Sequence, residues 1–142
     1  MDVKVVESEE ELQEAYAIRK KVFVEEQKVP LEEEIDQHEA EAVHFLLYNN
    51  ESPAGAGRFR IVDGIGKAER ICVLHSGRKS GAGRLLMEAL ETYAANEGLK
   101  KMKLNAQIQA IPFYERLGYT AISDEFLDAG IPHRTMIKDL PQ

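Results

Sequence analysis

The chain has 142 residues, 44% of them hydrophobic and 30% charged, with a formal net charge of −7 at pH 7. This length predicts one domain over residues 1–142, and the composition excludes a disordered chain, while the acidic balance argues against general nucleic-acid binding. We expect a cytoplasmic protein, because no apolar run could span a bilayer, no secretory signal is present and a single cysteine excludes an internal disulfide.

The first third of the chain predicts a strand, a helix and an acidic segment. Alternating valines indicate an opening strand, and Ser8 with Glu11 forms a capping-box pattern. Apolar residues then recur at helical spacing, which predicts a helix to about Val24 or slightly beyond. Residues Glu25–Glu41 lack apolar periodicity and are densely charged, so we expect a surface loop or broken helix that forms a lip of a substrate site.

The middle of the chain predicts an antiparallel meander followed by a parallel crossover. Three apolar runs separated by short turns indicate consecutive antiparallel strands. A helix then leads to a further strand, which such a connection makes parallel to the third strand of the meander. The predicted strands are Val43–Tyr48, Ala56–Val62, Ala68–Leu74 and Met102–Ala106, and the predicted helix is Leu85–Ala95.

The last third predicts three short elements. A helix over Ile111–Leu117 ends at Gly118, and two further runs could complete the sheet, over Tyr119–Ile122 and Thr135–Ile137.

A glycine-rich turn, 78–84, joins the third meander strand to the long helix. Glycines let backbone N–H groups approach a ligand closely, and the first turn of a helix leaves its donors unpaired at the positive end of the dipole. Anions bind at such turns. The pattern lacks the third glycine of the dinucleotide fingerprint and the Gly-Lys-Ser/Thr of a P-loop, so another phosphate-bearing ligand is expected.

Two motifs together resemble the signatures of the GNAT acetyltransferases. Arg78 followed by Gly81 and Gly83 resembles the acyl-CoA signature, and the run from Ala110 to Tyr119 is similar to the second signature of the family. Residues 22–27 and 130–133 further resemble a subgroup of small bacterial members, the ElaA-like or YjcF-like proteins. The resemblance implies a single-domain α/β fold whose mixed sheet has an antiparallel N-terminal meander, a splayed parallel strand pair and helices on both faces.

The resemblance also implies acetyl-CoA as the acyl donor. The pantetheine arm would lie between Ile71–Leu74 and Met102–Ala106, with the pyrophosphate on the amides of 79–84. Gln107 stands where many members of the family have asparagine, which leaves an amide with a longer reach. The implied cofactor-binding residues are Cys72, Val73, Leu74, Arg78, Lys79, Ser80, Gly81, Ala82, Gly83, Arg84, Gln107, Phe113 and Tyr114.

Acetyl transfer to an amine needs an oxyanion donor, an acid for the departing thiolate and a route for the amine proton. The resemblance makes a backbone N–H near Val73 the oxyanion donor and Tyr114 the acid; the competing interpretation is a core aromatic at Tyr114. Cys72 is interpreted as a small buried hydrophobe and not as a nucleophile. The general base stays open, with His133 the first choice. The other candidate bases are His38, Glu34 and Asp36.

The expected partner is a primary amine of a small molecule or peptide, attacking the thioester directly. Acidic residues crowd the first third and basic residues gather near the glycine turn, which suits a cationic acceptor and an anionic cofactor. No metal-ligand spacing is met, so no metal is expected. The alternatives are an acyl-CoA sensor without turnover and a structural partner, and exposed sheet edges could pair two copies as a homodimer.

Overall fold

The computed structural model describes residues 1–75, 78 and 80–141, and its centre is one mixed β-sheet. In the described part of the chain the strands are β1 (Asp2–Val5), β2 (Val43–Asn49), β3 (Ser52–Val62), β4 (Ile65–Val73), β5 (Lys101–Gln107), β6 (Thr120–Ala121), β7 (Phe126–Asp128) and β8 (Ile131–Asp139). The α-helices are α1 (Glu9–Arg19), α2 (Leu31–Glu34), α3 (Ala82–Asn96) and α4 (Ile111–Arg116).

The sheet has the topology that the sequence predicts. Its order is β1-β2-β3-β4-β5-β8-β6, with β7 beside β8. Strands β1 to β4 pair antiparallel, and β4 pairs parallel with β5 through the α3 crossover. The predicted mixed α/β fold is therefore confirmed. No helix among the described residues is long and apolar enough to cross a membrane.

Helix α1 starts as predicted and continues as a different type of helix. The Ser8 hydroxyl accepts from the Glu11 N–H at 3.1 Å, while the Glu11 carboxylate accepts from the Glu7 N–H at 2.8 Å. The helical chain then continues as a π-helix over Lys20–Glu26, so it ends close to the predicted position but with a wider turn than an α-helix. Such widened turns interrupt an α-helix mostly at functional sites, and this one brings Glu26 to the end of β4.

Helices cover both faces of the sheet. On one face, α3 buries Leu86 and Leu90 against the sheet together with residues of α4. On the other face, α1 and the π-helix bury Ile18 and Val22 in a smaller cluster with Cys72 of β4. The two layers leave the carboxyl ends of β4 and β5 between them.

Three details correct the sequence-based expectations. Glu34 lies in the segment predicted to be a surface lip, but its side chain is 1% exposed because the buried Arg19 needs a carboxylate partner. Strand β7 was not predicted, since it has only three residues. Strand β8 covers Ile131–Asp139 and is longer than the predicted run over Thr135–Ile137, so His133 lies in a hairpin strand with β7.

Candidate active site

The glycine turn leads directly into the N-terminus of α3. Gly81 adopts φ +85°, and its carbonyl accepts the first helical hydrogen bond from the Leu85 N–H at 3.1 Å. A Cβ at Gly81 would meet open space, and no side chain in the described part of the chain caps the helix. The amides of residues 82–84 are the first-turn donors that a helix cannot satisfy itself. An anion can therefore bind here. The exposed Ser80 directly precedes Gly81 within this turn.

Gly83 is needed for the packing of α4 against α3, whether or not a ligand binds beside it. A Cβ at this position would lie 3.1 Å from Cζ of Phe113, which is tighter than ordinary contact. Gly83 therefore lets the Phe113 ring of α4 lie directly against the first turn of α3. Ala82, between the two glycines, is buried in the same core.

The basic side chains of the turn do not all face the open helix end. Arg78 donates from Nε to the Val73 carbonyl at 3.0 Å and forms an ion pair with Glu26 at 2.9 Å, so its guanidinium joins the π-helix to the end of β4. Arg84 is 68% exposed and lies 3.9 Å from a carboxylate oxygen of Glu88. Lys79, predicted to contribute an amide, lies outside the described residues.

Strands β4 and β5 diverge toward their carboxyl ends. Their pairing covers Gly66–Ala68 and Met102–Leu104, while β4 continues to Val73 and β5 to Gln107. A bulge in β4 accompanies the divergence: the β3–β4 register shifts between Ala56 and Arg58, and Arg70 opposite adopts φ +55°. A wedge-shaped gap therefore opens between the two strands.

The N–H of Val73 points into this gap. The Leu74 N–H donates to the Ala54 carbonyl of β3 at 2.8 Å, and successive N–H groups of a strand point to opposite edges. The neighbouring N–H of Val73 consequently points away from β3 and toward the gap. This is where the sequence analysis expects an oxyanion donor.

Tyr114 lies on α4 at the wall of the gap. Its ring packs against Phe113 and Tyr119, with ring centroids 5.0 and 5.9 Å away, and the residue is 9% exposed. Its hydroxyl forms no hydrogen bond with any residue that the structure describes. Burial raises the pKa of Tyr114, with a smaller contribution from nearby Cys72. The phenol is therefore protonated at neutral pH and can donate.

Cys72 faces the α1 side of the sheet and is 5% exposed. Burial raises the pKa of this thiol to about 12, so it is a neutral thiol at neutral pH and not an activated nucleophile.

His133 and Gln107 are direct partners across β5 and β8, so their side chains share one face of the sheet. The Nδ1 atom of His133 lies 2.6 Å from the Ile131 carbonyl, which can only accept, so Nδ1 carries the proton and Nε2 of the neutral ring is unprotonated. The Gln107 side-chain amide donates to Gln27 Oε1 at 2.7 Å. Gln107 thus joins the end of β5 to the end of the π-helix.

A cavity of about 560 Å³ extends from the gap toward α2 and the β7–β8 turn. The two predicted catalytic residues, Tyr114 and His133, both line it. All three alternative bases line it as well. Its apolar lining includes Phe23, Val29, Ala68, Ile71, Leu104, Ala106, Ala110 and Ile131.

Two of the alternative bases are engaged in ion pairs with arginine. Glu34 Oε1 lies 2.7 Å from Arg19 Nε, and Asp36 accepts from Arg58 at 2.7 Å. Burial would raise the pKa of Asp36, but hydrogen bonding and charge from Arg58 outweigh it and lower this pKa to about 2. These carboxylates therefore attach the segment Glu25–Glu41 to arginines of α1 and β3. His38 Nδ1 lies 2.6 Å from Glu41 and is half-buried.

The ion pairs that three arginines form around this cavity were not predicted from the sequence. Arg58 and Arg60 on β3 both pair with Glu69 on β4, at 2.9 and 2.8 Å, and Arg70 pairs with Asp36 at 3.2 Å. The available signal was the alternation of charges along two predicted strands, which puts Arg58 with Arg60 on one face. In the described part of the chain, no three His, Cys, Asp or Glu side chains could hold a metal ion.

The chain matches the family model for the acetyltransferase (GNAT) domain over residues 5–140. It is 53% identical to the uncharacterized N-acetyltransferase YjcF of Bacillus subtilis strain 168, over 98% of this chain and 100% of that protein. Among solved structures it is similar to an acyl-CoA N-acyltransferase from Pseudomonas aeruginosa, with TM-score 0.86, 25% identity and coverage of 97% and 99% of the two chains.

An aminoglycoside 6′-N-acetyltransferase complexed with coenzyme A shares the fold, with TM-score 0.81 over 100% of this chain and 99% of that one. At 16% identity this likeness concerns the fold alone. The resemblance stated from the two sequence motifs is confirmed by the family match and by the relative from Bacillus subtilis.

Proposed function

Because the chain belongs to the GNAT acetyltransferases, a family of acyltransferases, we propose that it transfers an acetyl group from acetyl-CoA to a primary amine of a small molecule or peptide. The amine attacks the thioester directly, with donor and acceptor bound together. One observation carries the proposal: an uncapped helix N-terminus and a cavity holding Tyr114 and His133 lie at the same strand gap.

The pyrophosphate of acetyl-CoA binds at the N-terminus of α3. The amides of residues 82–84 donate to phosphate oxygens, and the helix dipole favours the negative charge. The left-handed turn at Gly81 sets the direction in which these amides point. The structural relative with coenzyme A bound supports this fold as a carrier of that cofactor.

The pantetheine arm lies in the gap between β4 and β5, where the two strands do not pair with each other beyond Ala68 and Leu104. The carbonyl oxygen of the thioester accepts from the Val73 N–H, which stabilises the negative charge of the tetrahedral intermediate. Because this donor is fixed in a strand, it needs no reorganisation when the charge develops.

In the reaction, the amine nitrogen forms a bond to the carbonyl carbon and the carbon–sulfur bond then breaks. Tyr114 gives its phenolic proton to the departing thiolate and regains one from solvent. His133 takes the proton released by the attacking amine at Nε2, the nitrogen left free by the bond from Nδ1 to the Ile131 carbonyl.

The test is thiol release from acetyl-CoA in the presence of a panel of primary amines, combined with calorimetric titration of the protein with CoA. The proposal expects amine-dependent thiol release and binding of CoA with a stoichiometry of one per chain. Binding of CoA without thiol release for any amine would indicate the alternative, a non-catalytic acyl-CoA sensor. Absence of CoA binding would overturn both.

A further inference from the structure

The cavity of about 560 Å³ is the proposed acceptor site, and its charged lining is only partly paired. The four lining cations all have carboxylate partners: Arg58, Arg60 and Lys67 contact Glu69 within 3.2 Å, and Arg70 contacts Asp36 at 3.2 Å. Together with Arg19, these cations form a network with five carboxylates. Those carboxylates belong to Glu34, Asp36, Glu39, Glu41 and Glu69. The network is balanced in charge.

Three lining carboxylates stand outside this network. Glu32 and Glu33 lie on α2, and Asp128 lies at the end of β7 on the opposite lip. All three side chains are exposed, and none of the three carboxylates forms an ion pair or hydrogen bond with a described residue. The unpaired charge that lines the cavity is thus negative, and it comes from α2 on one side and from β7 on the other.

A buried atom in the same wall also lacks a donor. Glu34 is 1% exposed and lines the cavity, and its Oε1 receives Arg19 at 2.7 Å. Its Oε2 has no hydrogen-bond partner in the described part of the chain. A buried carboxylate oxygen without a donor is costly, and it adds negative potential to this wall of the cavity, which favours a cationic ligand.

We propose that the acceptor is a linear diamine or polyamine, an inference that rests on the proposed function. One amine, in its neutral form, attacks the thioester near Tyr114. A second amine, as an ammonium group, binds among the carboxylates of Glu32, Glu33 and Asp128 at the mouth. The methylene chain between them lies along the apolar lining, which includes Phe23.

The same pairing disfavours acceptors with an acidic end. Among the described residues, every lysine and arginine that lines the cavity already pairs with a protein carboxylate. An anionic acceptor would have to break one of these partly buried pairs, which costs more than an exposed pair returns. Amino acids bound through their carboxylate are therefore poor acceptors.

Three amines of similar length separate these cases. Putrescine has two amino groups, butylamine has a hydrogen atom in place of one of them, and γ-aminobutyrate has a carboxylate in place of one aminomethyl group. Calorimetric affinity of each amine for the CoA-saturated protein, and kcat/KM for thiol release from acetyl-CoA, are measured side by side. We expect putrescine to exceed butylamine by about tenfold in both, as for one charge-assisted contact near the surface, and γ-aminobutyrate to be weakest.

The variant Glu32→Gln/Glu33→Gln/Asp128→Asn removes the three unpaired charges and should abolish the preference of putrescine over butylamine. Its matched control, Glu10→Gln/Glu51→Gln/Glu97→Gln, removes three exposed carboxylates that do not line the cavity and should keep the preference. Both variants should unfold at the temperature of the unchanged protein, because none of the six carboxylates forms an ion pair with a described residue.

Equal affinities of putrescine and butylamine would overturn the inference, and so would a preference that survives in the cavity variant. A lysine-containing peptide acetylated in preference to putrescine would overturn it in favour of a protein acceptor. Selective binding of putrescine without thiol release would support the acceptor class and count against the proposed acetyl transfer. The two conclusions therefore fail separately.

Discussion

Replacing Tyr114 by phenylalanine removes the proposed acid and little else. The ring keeps its contacts with Phe113 and Tyr119, and the hydroxyl that is lost has no hydrogen-bond partner among the described residues. Deleting an unpaired buried hydroxyl does not strand a partner, so the free energy of unfolding should change by less than about 1 kcal/mol. Affinity for CoA should also be unchanged, because the pyrophosphate site lies on α3.

The expected loss in kcat follows from the role of the proton donor. General acid catalysis by a positioned side chain contributes about 10²- to 10⁴-fold. A thiolate is a good leaving group, so the lower end applies and kcat should fall about 100-fold, equivalent to about 2.7 kcal/mol at 1.36 kcal/mol per factor of ten. Steady-state thiol release at saturating amine measures this change.

Tyr119→Phe is the matched control for this experiment. Its hydroxyl donates to Glu91 at 2.7 Å, in the same ring stack but away from the cavity lining. Loss of that hydrogen bond should lower stability by about 1 kcal/mol and leave kcat unchanged. A Tyr114→Phe variant with kcat within twofold of the unchanged enzyme would refute the assignment of Tyr114 as the acid.

Three further predictions concern stability and cofactor binding. Arg19→Leu leaves the 1% exposed Glu34 with only the longer 3.5 Å contact to Arg70 and should lower the free energy of unfolding by about 3 kcal/mol in urea titrations; a loss below about 1 kcal/mol would contradict the pairing. Burial alone would raise the pKa values of Asp36 and Glu69. Contacts with arginine side chains outweigh burial and lower these pKa values to about 2, from 3.8 and 4.5. The unfolded chain therefore binds more protons below about pH 5, so stability should be constant above that pH and fall toward pH 2, and a rise on acidification would count against the network. Gly81→Ala places a side chain at φ +85° at a cost of about 1–2 kcal/mol, and should weaken calorimetric CoA affinity several-fold; unchanged affinity would exclude this turn from the cofactor site.

Local signals in the sequence were sufficient to predict the helices and strands that surround the site. The capping pattern at Ser8, the glycine turn and the alternation in Met102–Ala106 each depend on neighbours within a few residues. Short connections then determine the antiparallel meander and the parallel crossover. This is why the fold class could be predicted, whereas the gap between β4 and β5 was implied only by the resemblance to the GNAT acetyltransferases.

The parts that the sequence did not predict depend on distant partners. Glu34 is buried because Arg19 meets it across 15 positions, and Asp36 is joined to Arg58 across 22. The left-handed backbone at Arg70 has no glycine to mark it. Strand β7 is too short for a periodic signal. Pairs between distant segments have no spacing rule, so only the folded chain reveals the network that closes the cavity.

A crystal structure of the protein with coenzyme A tests the central claim most directly. We expect the diphosphate within hydrogen-bond distance of the amides of residues 82–84, the pantetheine arm between β4 and β5, and the sulfur beside the Tyr114 hydroxyl. Coenzyme A bound elsewhere on the chain, or β4 and β5 paired along their full length in its presence, would contradict the account.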